Sequence, residues 1–306
     1  MIKTDKAAQK KRPGKNKERH AEDYELVISH YKNLITKNEN VTDAYTNMGF
    51  IYLEKEDFEE ALKCFLKILE IAPHTAGAFN NTGYVYEKMD RPDMARQYYE
   101  KALSVDTGNL EAVINIGHLY ELQGNYHDAV KQYKKAVDMD PDNETPRFCL
   151  AVLYDTHDMF DEAIQQYEEI TRKNPGHIKS LYNMGRINFQ WGNYAAAEAL
   201  FKKVLKLDPE NASVCNSLGL IREFSKEYPE ALDFYRKSLL INPFHEETNF
   251  NLAALQYALF RVSPENAKLD EIIRRLNFVI SLNPFHPKAE KLLDKIQEER
   301  KSRTSS

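Results

Sequence analysis

Five asparagines, Asn47, Asn81, Asn115, Asn183 and Asn251, share one register with a period of 34 residues, and Cys149 and Ser217 complete the series. A side-chain amide offers two donor hydrogens and an acceptor oxygen. A row of amides at fixed spacing can therefore engage the N–H and C=O groups of an extended peptide, whatever that peptide's side chains are. Residues suited to bond-making chemistry lack such order. His74, His177, His245 and His286 fall in turns, and His118 and His127 have no metal-ligand spacing. The chain has no HExxH pair, glycine-rich phosphate loop or nucleophile elbow. Its many carboxylates fall on the solvent faces of helical patterns. No catalytic residue, metal site or cofactor is expected, and the chain reads as a non-enzyme.

The elements that carry the asparagines repeat with them. Gly49, Gly83, Gly117, Ala151, Gly185, Gly219 and Ala253 lie 34 apart, as do Ala61, Ala95, Ala129, Ala163, Ala197 and Ala231. Four residues after each of these alanines stands an aromatic: Phe65, Tyr99, Tyr133, Tyr167, Phe201 or Tyr235. Pro73, Pro141, Pro175, Pro209 and Pro243 follow eight residues later, with Thr107 in the second copy. Apolar positions within each copy follow helical spacing, so a copy is two amphipathic helices. Glycine inside a helix costs about 1 kcal/mol relative to alanine. Five glycines at one phase therefore imply a close approach of the paired helices, with the small alanine opposite. The aromatic is expected to fill the gap between one copy and the next, and proline to end the second helix. Gly124 and Gly192, between helices, are expected in left-handed backbone.

This grammar resembles the tetratricopeptide repeat family over about residues 42–284. The resemblance implies an all-α, right-handed α-solenoid whose first helices line a concave groove. The expected order is a basic arm at 1–20, an N-terminal helix at 21–41 and seven units. Those units are 42–75, 76–109, 110–143, 144–177, 178–211, 212–245 and 246–285. A capping helix at 286–301 and a tail at 302–306 follow. The seventh unit carries seven extra residues near Phe260–Leu269, expected as a longer first helix with a loop.

On the family's geometry the asparagines point into the groove. A similar asparagine ladder occurs in the repeat superhelix of O-linked N-acetylglucosamine transferases, whose catalytic domain has no counterpart here. Flanking groove positions supply Phe50, Tyr84, His118 and Arg186, and one residue before the ladder stand Phe148, Tyr182 and Phe250. Aromatic and arginine side chains at such positions suit binding hot spots. Chaperone-binding members of the family hold an acidic C-terminal tail in a carboxylate clamp. Its five positions here are Thr46, Phe50, Asn81, Glu111 and Asn115, and only Asn81 matches. The acidic tails of heat-shock chaperones are therefore excluded as partners. Asp43, Glu54, Glu87, Glu111 and Glu121, against Lys88, favour a neutral or basic segment at the N-terminal end of the groove.

Charge is uneven. Residues 1–20 hold eight Lys/Arg and two acids, a net +6, so the remainder of a chain of net −5 carries −11. The arm has no apolar period and is expected to be disordered. It reads as a solvated tail or as an electrostatic arm for acidic lipid, nucleic acid or a partner. Nucleic acid is the weaker fit, because no aromatic interleaves the basic residues. No apolar run reaches the roughly 18 residues of a membrane span, and no apolar signal segment opens the chain. Cys64, Cys149 and Cys215 read as small hydrophobes of a reducing compartment. The expected protein is a cytoplasmic scaffold or adaptor that binds a protein or an extended peptide. Self-assembly into homo-oligomers is the structural alternative.

Overall fold

The computed structural model describes residues 16–263 and 266–304. Sixteen helices, and no strands, occur among the described residues. They are α1 (Asn16–Thr36), α2 (Val41–Glu54), α3 (Phe58–Ile71), α4 (Ala76–Lys88), α5 (Pro92–Val105), α6 (Leu110–Leu122), α7 (Tyr126–Met139) and α8 (Glu144–Thr156). There follow α9 (Phe160–Lys173), α10 (Ile178–Gln190), α11 (Tyr194–Leu207), α12 (Ala212–Phe224), α13 (Tyr228–Ile241), α14 (Glu246–Val262), α15 (Asn266–Leu282) and α16 (Ala289–Thr304). The chain divides into two compact units, residues 1–166 and 167–306, each described by itself. Each is an all-α solenoid segment in which a helix packs on the helix before it and the helix after it.

The glycine phase is explained inside each helix pair. A Cβ built on Gly49 would stand 2.6 Å from Phe65 Cζ, and one on Gly83 would stand 2.7 Å from the Tyr99 ring. Gly117 meets Tyr133, Gly185 meets Phe201 and Gly219 meets Tyr235 in the same way, at 2.8, 2.6 and 2.5 Å. The aromatic shares a core with the next copy, as the periodicity suggested, Phe65 with Ala78 and Val85 and Tyr99 with Ala112 and Leu119. It lies flush on the glycine of its own pair, where the missing side chain leaves room for a ring. Burying such a ring contributes about 1.5–3 kcal/mol, which outweighs the propensity loss of the glycine.

The turns repeat as strictly as the helices. Glu56, Asp90, Gly124, Asp158, Gly192 and Lys226 all have φ between 58 and 77°, one in each pair from α2–α3 to α12–α13. Each closes the first helix in left-handed backbone. The next N–H reaches back five residues, as in Asp57 N to Tyr52 O at 2.8 Å and Asn125 N to Tyr120 O at 2.8 Å. Asn109, Asn143, Asn211, His177 and His245 cap the helices that follow them with a side-chain acceptor.

The two ends are covered differently. Helix α1 begins at Asn16, five residues earlier than the expected boundary, because Lys17, Glu18 and Arg19 are good helix formers. Residues 1–15 of the expected arm lie outside the described residues. Ile28, Tyr31 and Ile35 of α1 pack on the first pair. Tyr24 and Glu25 bond Glu54 and Lys55 at 3.0 and 2.6 Å. At the other end Ala289, Leu293 and Ile296 of α16 join a core with Tyr257, Phe260, Ile272 and Leu276, and the helix continues past residue 301. The longer first helix expected at the insertion is present, while residues 264–265 lie outside the described residues. The insertion adds four residues to α14 and three to α15 relative to the 13 and 14 of α12 and α13, about one turn each.

Cys64 and Cys215 are buried and Cys149 half-buried. Burial pushes the Cys64 and Cys149 thiols up to about 11, which keeps them protonated and unreactive near neutral pH.

Gly117→Val should overpack the Tyr133 ring and cost about 1–3 kcal/mol. Gly77→Ala, in helix α4 with open space around its Cβ position, should instead stabilise by about 0.4–1 kcal/mol. Urea midpoints of the two variants should move in opposite directions.

Candidate functional site

In residues 167–306 the first helices of three successive pairs, α10, α12 and α14, converge on one cleft of about 460 Å³. Tyr182, Arg186, Phe250 and Asn251 line it, with Ser217 and Leu220 at the equivalent positions of α12. Phe189, Gln190, Glu247 and the turn His286–Lys288 complete the wall. Asn183 is not part of that lining; its Nδ2 donates to the Tyr167 hydroxyl at 2.9 Å. The cleft thus combines aromatic walls, an amide, a hydroxyl and charges of both signs. The Phe250 ring is held in place by the His286 ring, 4.6 Å away between centroids.

In residues 1–166 the expected residues lie on successive first helices, α2, α4, α6 and α8. Asn47 is exposed, while Asn81, Asn115, Tyr84 and Phe148 are half-buried. The Phe50 ring is 46% exposed and leans edge-on against Phe65. Lys88 Nζ sits 4.7 Å above the Tyr84 ring.

The ladder amides also bond to the fold. Asn115 Nδ2 donates to Asn80 Oδ1 at 2.9 Å, and Asn251 Nδ2 donates to Asn216 Oδ1 at 3.0 Å. Asn80 and Asn216 are both buried, one residue before the ladder position of the preceding pair. Each is a buried acceptor that would cost about 1–3 kcal/mol if left bare.

The acidic residues expected along this face are largely engaged as well. Tyr99, Tyr133 and Tyr235 donate their hydroxyls to Glu87, Glu121 and Glu223 at 3.0, 2.9 and 2.7 Å. Each carboxylate stands 12 residues before its tyrosine. Where the aromatic is Phe65 or Phe201, the residue 12 before it is Leu53 or Phe189. Tyrosine thus comes with a carboxylate and phenylalanine with an apolar partner, a correlation inside one chain that the repeat spacing alone had not brought out. The Glu87 side chain is only 6% exposed, and its second oxygen lies 3.0 Å from His118 Nδ1. Asp43 and Glu111 remain exposed.

Two histidines titrate in opposite senses. The Glu87 hydrogen bond, aided by the Glu87 and Glu121 charges, holds His118 above its ordinary value against burial and Lys88. His245 is pushed down by burial, despite Glu247 and Glu246. Its Nδ1 accepts from Thr248 N at 3.3 Å, so Nε2 carries the proton, toward Ser213 Oγ at 3.1 Å.

The pair rule predicts the outcome of a swap. Tyr99→Phe should cost about 1–3 kcal/mol by removing a donor from a nearly buried carboxylate. Adding Glu87→Leu, the pairing already present at Leu53 and Phe65, should recover part of that loss in a double-mutant cycle read by urea unfolding. The His118 contribution to stability should be present below the ordinary histidine value and lost as pH rises through its raised one. The His245 contribution should be present above the ordinary value and lost as pH falls through its lowered one. Ring-proton chemical shifts followed through pH would give both directions.

Family models described as tetratricopeptide repeat match residues 40–108, 75–142, 122–185 and 178–211, together more than half of the chain. Comparison with curated proteins finds no match. Among solved structures, a chain of the APC/C hetero-tetramer Cut9–Hcn1 superposes with a TM-score of 0.63 at 16% identity, over 89% of this chain. This chain spans 52% of that one. A tetratricopeptide repeat protein from Parabacteroides merdae gives 0.61 at 15% identity, over 84% of this chain and 98% of its own. The pilF protein of Pseudomonas aeruginosa gives 0.59 at 21%, over 70% and 97%. At these identities the likeness is one of fold. No helix among the described residues is long and apolar enough to cross a membrane. With the glycine–aromatic pairs, the 34-residue turns and the matched models in hand, the chain belongs to the tetratricopeptide repeat family, whose repeat fold generally serves protein–protein interaction.

Proposed function

We propose that this protein is a non-enzymatic scaffold of the cytoplasm that holds an extended peptide or a partner protein against the face formed by its first helices. The observation that carries this reading is the convergence of α10, α12 and α14 on one cleft, where Tyr182, Phe250, Arg186 and Asn251 stand together. Half-buried aromatic and arginine anchors beside a few placed polar groups suit a recognition site. Ladder and flanking positions in residues 1–166 carry similar chemistry on their own unit: the Asn47 and Asn81 amides, the exposed Phe50 ring and the Tyr84–Lys88 stack. Asp43, Glu54 and Glu111 are the expected carboxylates exposed there, so a neutral or basic segment suits that end.

The test is affinity purification with the intact chain, followed by the variant Asn81→Ala/Arg186→Ala, which changes two side chains that do not fill the core. Helicity should be retained, and recovery of the captured partner should fall about tenfold or more, equivalent to about 1.4 kcal/mol of binding. Unchanged helicity with unchanged recovery would move the site away from this face.

A further inference from the structure

From α5 onward, the turns that follow the second helices come in two chemical versions. Each opens on an Asp or Asn and reaches the cap of the next helix three residues later. Turns with an asparagine cap open on aspartate: Asp106 to Asn109, Asp140 to Asn143 and Asp208 to Asn211. Turns with a histidine cap open on asparagine: Asn174 to His177, Asn242 to His245 and Asn283 to His286. The backbone is shared, since in five of the six the capping residue's N–H reaches the opening carbonyl at 3.1–3.3 Å. The exchange therefore alters chemistry and not shape. An aspartate beside an imidazole favours its charged form, and aspartate is absent wherever the cap is histidine. All three histidine caps lie in residues 167–306.

Each histidine caps through Nδ1. Ser180 N donates to His177 at 3.2 Å, Thr248 N to His245 at 3.3 Å and Ala289 N to His286 at 3.0 Å. Such a bond needs the Nδ1 lone pair, and so the neutral ring. Protonation removes the acceptor and sets a positive charge at the positive end of a helix. An asparagine cap carries no titratable proton. The helices capped by histidine begin the walls of the cleft: Tyr182 and Arg186 stand on α10, Phe250 and Asn251 on α14, and Lys288 at the entry to α16. The caps of α14 and α16 are linked. Asn283 Nδ2 donates to Glu246, in the first turn of α14, at 2.8 Å, and the His286 ring supports Phe250.

We propose that His177, His245 and His286 form an acid-operated release for this cleft: protonation uncaps α10, α14 and α16 together and loosens the walls that hold Tyr182, Arg186 and Phe250. Burial pushes His245 below its ordinary value, against Glu247 and Glu246, so its cap is lost as pH falls through that lowered value. The other groups on its ring are uncharged, Ser213 Oγ 3.1 Å from Nε2 and Thr248 Oγ1 2.9 Å from Nδ1. Glu246 Oε1 lies 4.0 Å from His286 Nε2; it attracts the charged ring but does not return the lone pair at Nδ1, and Lys288 opposes it. His177 meets the Ser180 hydroxyl at 2.8 Å and is followed by Lys179. In residues 1–166 the Glu87 hydrogen bond holds His118 above its ordinary value, so acid acts there in the opposite sense. The release needs no ligand; its use as a binding switch rests on the cleft being the recognition site.

Amide hydrogen exchange of the full chain without ligand, read residue by residue by NMR at about pH 8 and about pH 5, spans the range in which histidine changes charge. Protection factors of Ser180, Thr248 and Ala289 should fall about 2- to 30-fold at the acid end, the range of a lost cap. Those of Ala112, Thr145 and Val214, bonded to asparagine caps, should hold. His177→Asn, His245→Asn and His286→Asn each supply the cap used in the other turns. Each should cancel the fall at its own helix only, which a general loosening in acid would not allow. Equal protection at both pH values, a fall shared by the asparagine-capped helices, or a fall that survives the substitutions would each overturn the proposal. None of these outcomes depends on a captured partner, so the binding reading stands or falls separately, with the Asn81→Ala/Arg186→Ala variant.

Discussion

An aromatic ring lying on a glycine is the contact on which five of the seven helix pairs depend. Any side chain at Gly49, Gly83, Gly117, Gly185 or Gly219 would occupy the place of Phe65, Tyr99, Tyr133, Phe201 or Tyr235. The ring, fully buried in each case, sets the distance and rotation between the two helices. That geometry in turn fixes which side of the first helix looks away from its partner. The ladder positions stand two residues before the glycine, about 200° around the helix at 100° per residue. They therefore face away from the ring whenever the ring is in place. The candidate site is a consequence of the lock.

The lock comes in two chemical forms. A phenylalanine needs an apolar lid, and Leu53 and Phe189 supply it. A tyrosine brings a hydroxyl into the interior, where an unpaired polar group is costly, and Glu87, Glu121 and Glu223 accept from it. Burial and the neighbouring carboxylate push these phenols far up, so they stay protonated donors. The carboxylates consequently belong first to the interior. Charge that a count of acids assigns to a binding surface is in part charge that holds the scaffold together, and the field left for a partner is smaller than the count implies.

Most of the fold was legible because it is periodic. A 34-residue register read across seven copies separates positions that the backbone requires from positions free to vary, and helices, turns, the N-terminal helix and the capping helix all follow from it. What was not legible depended on a second residue. The role of Glu87 requires Tyr99 to be a tyrosine, and the bond of Asn115 requires Asn80, which the 34-residue period does not relate to it. The longer first helix at the insertion near Phe260–Leu269 was legible, but the share taken by α15 was not, because length alone does not say where residues go. Seven residues make nearly two helical turns, and α14 and α15 divide them four to three. Among the candidate site residues, Tyr182, Arg186, Phe250 and Asn251 come together in one cleft, while Asn183 bonds to Tyr167. Spacing cannot distinguish these cases, since all five occupy equivalent or adjacent positions.

The internal bonds of the ladder bear on how it could bind. An amide has two N–H donors and an oxygen with two lone pairs. Asn115, Asn183 and Asn251 each commit one N–H to a fixed neighbour, which leaves the second N–H and the oxygen available. A free asparagine must be ordered when a ligand arrives, and each immobilised side chain costs about 0.5–1.5 kcal/mol. An asparagine already tethered at one hydrogen has lost much of that freedom during folding. The remaining donor and acceptor then point in a set direction, as a peptide group of fixed geometry requires. Asn47 and Asn81, which have no such tether among the described residues, would have to be ordered by the ligand. The burial of Asn80 and Asn216 therefore does two things at once: it demands a donor from the next repeat, and it aligns the amide that answers.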